Sequence, residues 1–326
     1  MTDVARAAGV GVMTVSRTFH DMDKVAETTR QRVLKTAQAL GFIPNQAAGV
    51  LSSRSSRVVG LFLPNLLDAT YHQIYRGMVD RLEPAGYQVF VAETRYDQSR
   101  EEGQIRSMLG WRVRGMIFTG SERLAISRRL LKDAGVVACS VMTTRASGGV
   151  SAVGFSSDES MESLADHLLR RGRRNIALIC SAKLTHKRLQ KRQLALQAAI
   201  AGQADFRIVE LPTEIPFGFS DGALAVDTVV DSFGVGWTLI FSNDTPAAGA
   251  ILRARELKLT IPDELSVVGY GGLEIAGTIS PRLTTVRIPK YSMGEEAARL
   301  LLEQMAGRRV PLSADLGFEL VAGETT

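Results

Sequence analysis

The apolar positions of this chain follow two spacings, and the change comes near residue 58. Before it the spacing is helical. In "DVARAAGVGVMTVSR" (3–17), Val4, Ala5 and Ala8 share one face of a short first helix. Thr2 can cap that helix, and Gly9 ends it, because a left-handed backbone is cheapest at glycine. Val10 plugs the core, and a second helix, about Val12 to Phe19, turns Val15 and Phe19 inward at i, i+4. Thr28 caps a third helix, about Thr29 to Leu40, with Val33, Leu34, Ala37 and Leu40 as its apolar stripe and Gly41 at its end. From Val58 onward, apolar runs at 58–64, 87–93, 115–120, 135–142, 175–181, 238–244 and 265–270 alternate with amphipathic stretches such as Tyr75–Ala85, Glu101–Trp111 and Ser160–Arg171. Repeated βαβ units predict parallel sheets with helices on both faces. The units are too many for one tidy sheet, and a second series begins near Gly172. The expected fold class is α/β: a helix-turn-helix head, then two doubly wound subdomains with a cleft between them. Ligands of such sheets bind at the carboxyl ends of strands.

Gly9-Val10-Gly11 also raises the glycine turn of a dinucleotide-binding fold. That turn needs an apolar strand before it and a third small residue after it. Residues 3–8 are alanine-rich and charged, and Thr14 stands at the third position, so the helix-turn-helix reading fits better. Its outer face offers Val12, Met13, Thr14, Ser16 and Arg17, side chains suited to a major groove. Between head and body runs "FIPNQAAGVLSSRSSR" (42–57), a linker that can become a helix. Leu51 is either an ordinary packing contact or an apolar wedge that enters a minor groove when DNA orders the segment.

Composition sharpens this picture. The 326 residues are 45% apolar, enough for a large core, and include two cysteines, Cys139 and Cys180, in apolar runs. No C-x-x-C spacing occurs, so these read as reduced fillers. No signal peptide and no run of 18 apolar residues is present, which points to a cytoplasmic chain without a membrane span. Net charge is +5, of which +4 belongs to residues 1–57, with eight Lys/Arg against four Asp/Glu. A basic head on a nearly neutral body points to a polyanion partner for the head, although a solvated charged face has the same composition.

Catalytic and metal motifs are missing. There is no P-loop, G-x-S-x-G, H-E-x-x-H or EF-hand loop, and His20, His72, His167 and His186 are scattered, with His167 expected at the surface. Nothing calls for a cofactor or for an enzyme. Binding candidates follow strand ends instead. Asn243-Asp244 can cap the helix after "TLIFSND" or bond ligand hydroxyls. Tyr71 with His72, and Phe217 with Phe219, offer rings for a sugar or simply pack in the core. The run "KLTHKRLQKR" (183–192) has five Lys/Arg and no acid. One or two of these facing the cleft would favour an anionic ligand.

Together, "DVARAAGVGVMTVSR", "LGFIPNQAAGVL", "FSNDTPAAGAI", "IPDELSVVGY" and "SPRLTTVRIPKYSMGEEAARLLL" resemble, in order, segments of the LacI/GalR family of bacterial transcription regulators. "SMLGWRVRGMIFT" and "ADLGFEL" look most like gluconate-utilisation repressors within it. The resemblance implies a head at 1–44, a hinge helix and linker at 45–57, and a body at 58–326 like a periplasmic sugar-binding protein. Its N-subdomain would span about 58–157 plus 286–318, and its C-subdomain about 158–285 plus 319–326. It also implies a homodimer on a pseudo-palindromic double-stranded operator. Its DNA contacts would be Thr2, Val12, Met13, Thr14, Ser16, Arg17, Asn45, Gln46, Ala48 and Leu51. Val12 and Met13 would read bases and Leu51 would be the hinge wedge. Tyr71, Lys187, Lys191, Phe217, Asn243 and Asp244 would line the effector cleft. Three departures stand out. Gly271 replaces the Asp that many sugar-binding members carry after "VVGY/F". Lys191 stands for the usual Arg, with Leu194-Ala195 for the Gly-Phe that follows it. Ser156-Ser157 replaces a common Asp-Asn. Loss of a carboxylate with cations kept suits a sugar acid such as gluconate, or its phosphate, better than a neutral hexose.

Overall fold

The computed structural model describes residues 1–20, 24–43, 56–182, 187–212 and 218–326. The head is built from α1 (Thr2–Ala8), α2 (Val12–His20) and α3 (Glu27–Ala39). Its core is Val4, Ala5, Ala8, Val15, Val33 and Ala37, small enough for the helices to cross closely. Gly9 has φ +64, and the next amide, Val10 N, donates to Ala5 O at 3.0 Å to close α1. Two expectations about caps fail. Thr2 is the first helical residue rather than the cap, and no side chain caps α1. α3 begins at Glu27, before Thr28, with no side-chain cap. An acid in the first turn, where the helix dipole favours it, pairs with Arg30 at 2.5 Å and accepts from Gln31 at 2.8 Å. The apolar stripe of α3 is correspondingly narrower: Leu34 and Leu40 are exposed.

The body holds two six-stranded sheets. The first is formed by β1 (Val58–Leu63), β2 (Gln88–Glu93), β3 (Gly115–Thr119), β4 (Val137–Val141), β5 (Ser151–Gly154) and a late strand, β11 (Ser313–Asp315), with α4 (Ala69–Leu82), α5 (Gln98–Gly110), α6 (Ala125–Ala134) and α12 (Lys290–Met305) around it. The second is formed by β6 (Asn175–Ser181), β7 (Asp205–Leu211), β8 (Trp237–Ile240), β9 (Leu265–Gly271), β10 (Thr284–Arg287) and β12 (Glu319–Val321), with α7 (Ser157–Arg170), α8 (Lys187–Ala199), α9 (Phe219–Phe233), α10 (Asp244–Glu256) and the short α11 (Glu274–Thr278). Strand orders correspond: β11-β5-β4-β3-β1-β2 and β12-β10-β9-β8-β6-β7. All pairings are parallel except β10 with β12. The chain crosses from one half to the other at 155–156, 288–289 and 316–318. Val286 and Arg287 still belong to β10, so the second crossing follows Arg287 instead of preceding Val286.

Helices α4, α5 and α7 start earlier than their apolar periodicity predicted, because polar caps precede the first apolar residue. Asp68 accepts from Thr70 N at 2.8 Å, Asp97 from Ser99 N at 2.7 Å, and Ser156 from Glu159 N at 3.2 Å. Each half also has one seam where two helices touch backbone to backbone. A Cβ on Gly77 of α4 would overlap Tyr291 O of α12, and one on Gly294 would overlap Ile74 O. In the second half, Gly222 of α9 meets Pro246 O and Gly249 of α10 meets Phe219 O. His167 is buried rather than at the surface; its ring hydrogen-bonds Thr326 Oγ1 at 2.8 Å. Cys139 and Cys180 are free thiols, and burial pushes both up to about 11. The linker reaches the body at Ser56, whose amide and hydroxyl both donate to Arg112 O, at 3.3 and 2.8 Å. Among the described residues no helix is long and apolar enough to cross a membrane.

Candidate nucleic-acid interface and effector cleft

On the head, α2 presents Val12, Met13 and Arg17 to solvent, with Thr14 and Ser16 half-buried beside them and Val15 sealed behind. The Thr18 hydroxyl, also buried, donates back to Thr14 O at 2.9 Å. The first turn of α2 carries no acid, so no side-chain carboxylate offsets the positive end of its dipole. Thr2 is exposed at the start of α1. Asn45, Gln46, Ala48 and Leu51 lie outside the described residues, as does Phe217.

The cleft between the two halves contains two adjoining chambers. The inner one, 210 Å³, lies between the start of α4, the face of α8, and the ends of β8 and β9. The outer one, 360 Å³, lies between the loops after β2, β3 and β4 and the start of α8. Tyr96, Met142 and Arg188 border both.

Tyr71 and Asn243 border the inner chamber. The Tyr71 hydroxyl accepts from Arg188 Nη2 at 3.0 Å and stands 3.4 Å from that of Tyr96. Asn243 does two jobs. Its Oδ1 caps α10 by accepting from Thr245 N at 2.9 Å, and its Nδ2 donates to Asp68 Oδ1 at 3.0 Å, bridging the halves. Asp244 does not reach the cleft. It is fully buried, accepting from Leu273 N at 2.5 Å and from the Thr285 hydroxyl at 2.5 Å. Burial raises its pKa against those hydrogen bonds and against the charge of Lys290. Lys290, itself buried, donates to the carbonyls of Gly271 and Gly272. Gly271, at φ +121, brings a bare backbone edge to the chamber where a side chain would be strained. Phe219 is exposed on α9 and borders neither chamber.

Lys187 and Lys191 border the outer chamber, but both ammonium groups are on Glu122 of the opposite half, at 3.1 and 3.4 Å. Their hydrogen bonds and charge, Lys187 first, lower the Glu122 pKa against partial burial. The cations that border the inner chamber are Arg188, whose Nη2 is on Tyr71, and Arg192, one residue beyond Lys191. Arg192 is 7% exposed, its Nε donates to Ser157 Oγ at 3.2 Å, and its guanidinium lies 3.6 Å over the Tyr270 ring. No carboxylate among the described residues stands within 4 Å of it. Burial lowers its pKa, with the Tyr270 oxygen opposing and Arg188 reinforcing that shift. The register expected from Lys191 and Leu194-Ala195 is therefore one residue early: Leu194 is exposed and Leu196 is in the core. The signal was present, since Arg188, Arg192 and Leu196 recur at i, i+4, i+8 on one helical face.

Sequence reasoning also missed Glu101 and Arg123. Both are buried, and Glu101 borders the outer chamber. Arg123 donates to Gly120 O at 3.0 Å and Ser140 Oγ at 3.1 Å and lies 3.9 Å over the Phe118 ring. Its Nε is 3.7 Å from Glu101 Oε1, an ion pair without a hydrogen bond. Burial pushes the Glu101 carboxyl up to about 6 against the pull of Arg123, and brings Arg123 down to about 10.

The chain is similar to known proteins over nearly its whole length. A model of the bacterial regulatory proteins of the lacI family matches residues 1–45, and one of the periplasmic binding protein-like domain matches residues 165–326. The HTH-type transcriptional regulator GntR of Pseudomonas aeruginosa is 34% identical over 331 residues, covering 100% of this chain and 95% of that protein. GntR of Escherichia coli K12 is 29% identical over 325 residues, covering 99% of this chain and 97% of that one. The crystal structure of a LacI family transcriptional regulator from Silicibacter pomeroyi is similar at a TM-score of 0.89 and 25% identity, covering 99% of this chain and 98% of the other.

Proposed function

The chain belongs to the LacI family of bacterial regulatory proteins, and we propose that its repression is relieved or enforced by a sugar acid of the gluconate type held in the interdomain cleft. It is a DNA-binding transcriptional repressor rather than an enzyme. One observation carries the choice of ligand: Arg192 is an almost fully buried guanidinium with no carboxylate among the described residues within 4 Å. A buried charge is costly until it is paired, and an anionic ligand supplies the partner. Gly271 and the Ser156-Ser157 pair act in the same direction, because each leaves out a side chain that would compete with that anion or suit a neutral hexose.

In this reading a cytoplasmic homodimer places two heads on a pseudo-palindromic operator. Val12 and Met13 touch base edges in the major groove, Thr14, Ser16 and Arg17 hold backbone or adjacent bases, and Thr2 lies at the phosphates. Asn45, Gln46, Ala48 and Leu51 complete the contact, Leu51 as the wedge. Tyr71, Asn243 and the lysines Lys187 and Lys191 frame the cleft. Operator and effector prefer different arrangements of the two halves, which couples them by about 1–3 kcal/mol.

The test is a selection of duplexes bound by the full chain, followed by titration of the selected operator with gluconate, 6-phosphogluconate and glucose. A pseudo-palindrome whose affinity changes with either acid and not with glucose supports the reading. A response to the neutral sugar alone overturns the ligand class and leaves the repressor. Leu51→Ala checks the wedge separately, by a loss of operator affinity with gluconate affinity retained.

A further inference from the structure

A sugar acid brings several hydroxyls besides its carboxylate, and in a site shielded from water those donors need acceptors. The inner chamber has one carboxylate of its own, Asp68, and no hydrogen bond among the described residues reaches its Oδ2; the acceptors beside it are engaged. Asp68 Oδ1 already takes Thr70 N and Asn243 Nδ2, and Asn243 Oδ1 takes Thr245 N. Asp244 is sealed beneath the floor, and residue 271 has no side chain. The outer chamber differs. Glu101, in the first turn of α5, has a side chain nine-tenths buried and borders the chamber. No hydrogen bond among the described residues reaches its carboxylate; Oε1 is enclosed and has no partner closer than Arg123 Nε at 3.7 Å. Arg123 cannot close that gap freely, because Gly120 O, Ser140 Oγ and the Phe118 ring hold it where it is. The carboxylate is thus fixed in direction and short of donors, a condition that folded proteins rarely leave uncorrected.

We propose that Glu101 is the hydroxyl acceptor of the effector site, its chamber-side oxygen binding the polyhydroxyl chain of a sugar acid whose carboxylate lies against Arg192. Arg188, Tyr96 and Met142 border both chambers, so one ligand spans them with its charged end inward and its hydroxyls outward. The carboxylate absent at position 271 is in effect supplied from the other half of the protein, at position 101. This rests on the sugar-acid reading of the cleft, and it adds a direction to the ligand and a residue that distinguishes an aldonate from a plain carboxylate.

The experiment is calorimetric titration of the full chain with gluconate and with hexanoate, six-carbon acids with and without hydroxyls, in the wild type and in Glu101→Gln. The wild type binds gluconate at least tenfold more tightly than hexanoate. Glu101→Gln loses at least tenfold in gluconate affinity while hexanoate changes less than twofold, which removes most of the discrimination. Equal losses for both acids, or no loss for either, overturn the assignment of Glu101 and leave the sugar-acid reading standing. A wild type that binds neither acid overturns that reading and this one with it. Thermal melting establishes that the variant folds, and Glu101→Asp, which retracts the carboxylate by one methylene, replaces it if it does not, with the same pattern expected.

Discussion

The Arg192 guanidinium lies 3.6 Å above the Tyr270 ring, a contact between α8 and β9. Ser157 holds Nε from the side at 3.2 Å, and Ser160 meets the Tyr270 hydroxyl at 2.9 Å, so the ring under the cation is itself anchored. A planar cation held this way presents its other N–H groups in a single plane toward the chamber. Its precision comes from the stack as much as from the charge.

Arg192→Lys keeps the charge and discards the plane. Gluconate affinity should fall at least tenfold, about 1.4 kcal/mol, measured by calorimetry. An unchanged Kd would remove Arg192 from the ligand's contacts.

Asp244→Asn should act on folding. The carboxylate takes two donors, Leu273 N and the Thr285 hydroxyl, and an amide can turn only one acceptor to them. The cost should be about 2–4 kcal/mol, seen as a lower urea midpoint at unchanged slope. Unaltered stability with lost gluconate binding would mean that Asp244 touches the ligand after all.

The buried Glu101 makes stability depend on pH in a particular window. Its folded pKa, about 6, lies above the unfolded value near 4.5, so the folded state binds the proton more tightly. Stability therefore falls as pH rises from about 4.5 to about 6 and is level above that, by about 2 kcal/mol from this group. Urea unfolding at pH 4.5 and pH 7 in wild type and Glu101→Gln isolates it as a difference of differences. An identical pH dependence in both proteins would contradict the shift.

Gly294→Ala sets a methyl group against Ile74 O at the α4–α12 seam. Overpacking against backbone should cost about 1–3 kcal/mol or more, read by thermal or urea unfolding. Gly103→Ala, on an open face of α5, should cost nothing and serves as the comparison.

Much of this architecture can be read from residue spacing. Val4, Ala5, Ala8 and Val15 are buried as their periodicity requires, and the runs at 58–63 and 175–181 are strands because β-branched and aliphatic residues are continuous there. The short strands β5, β10, β11 and β12 escaped notice, being too brief to show a period before tertiary pairing stabilises them, and β7 did because Asp205, Arg207 and Glu210 interrupt its apolar residues. Helix starts were late wherever Asp68, Asp97 or Ser156 supplied a cap, since caps are polar and precede the apolar signal. The cleft was legible at Tyr71 and Asn243, which follow strand ends. It was misread at Lys191, because a count of charges in 183–192 does not say which face of α8 each occupies. Glu101 and Arg123 could not be paired in advance, because only the folded sheet brings α5 beside the loop after β3.

The two glycine seams have a mechanical consequence. Helices locked backbone to backbone cannot slide, so Gly77 with Gly294, and Gly222 with Gly249, leave each half to move as one block. What freedom the body keeps is then a swivel about three adjacent chain crossings, and a ligand seated between the blocks sets its angle. Ser56 ties the end of the linker to the first block, through Arg112 O. A head carried on that linker therefore meets the ligand only indirectly, through the angle at which the ligand holds one block against the other.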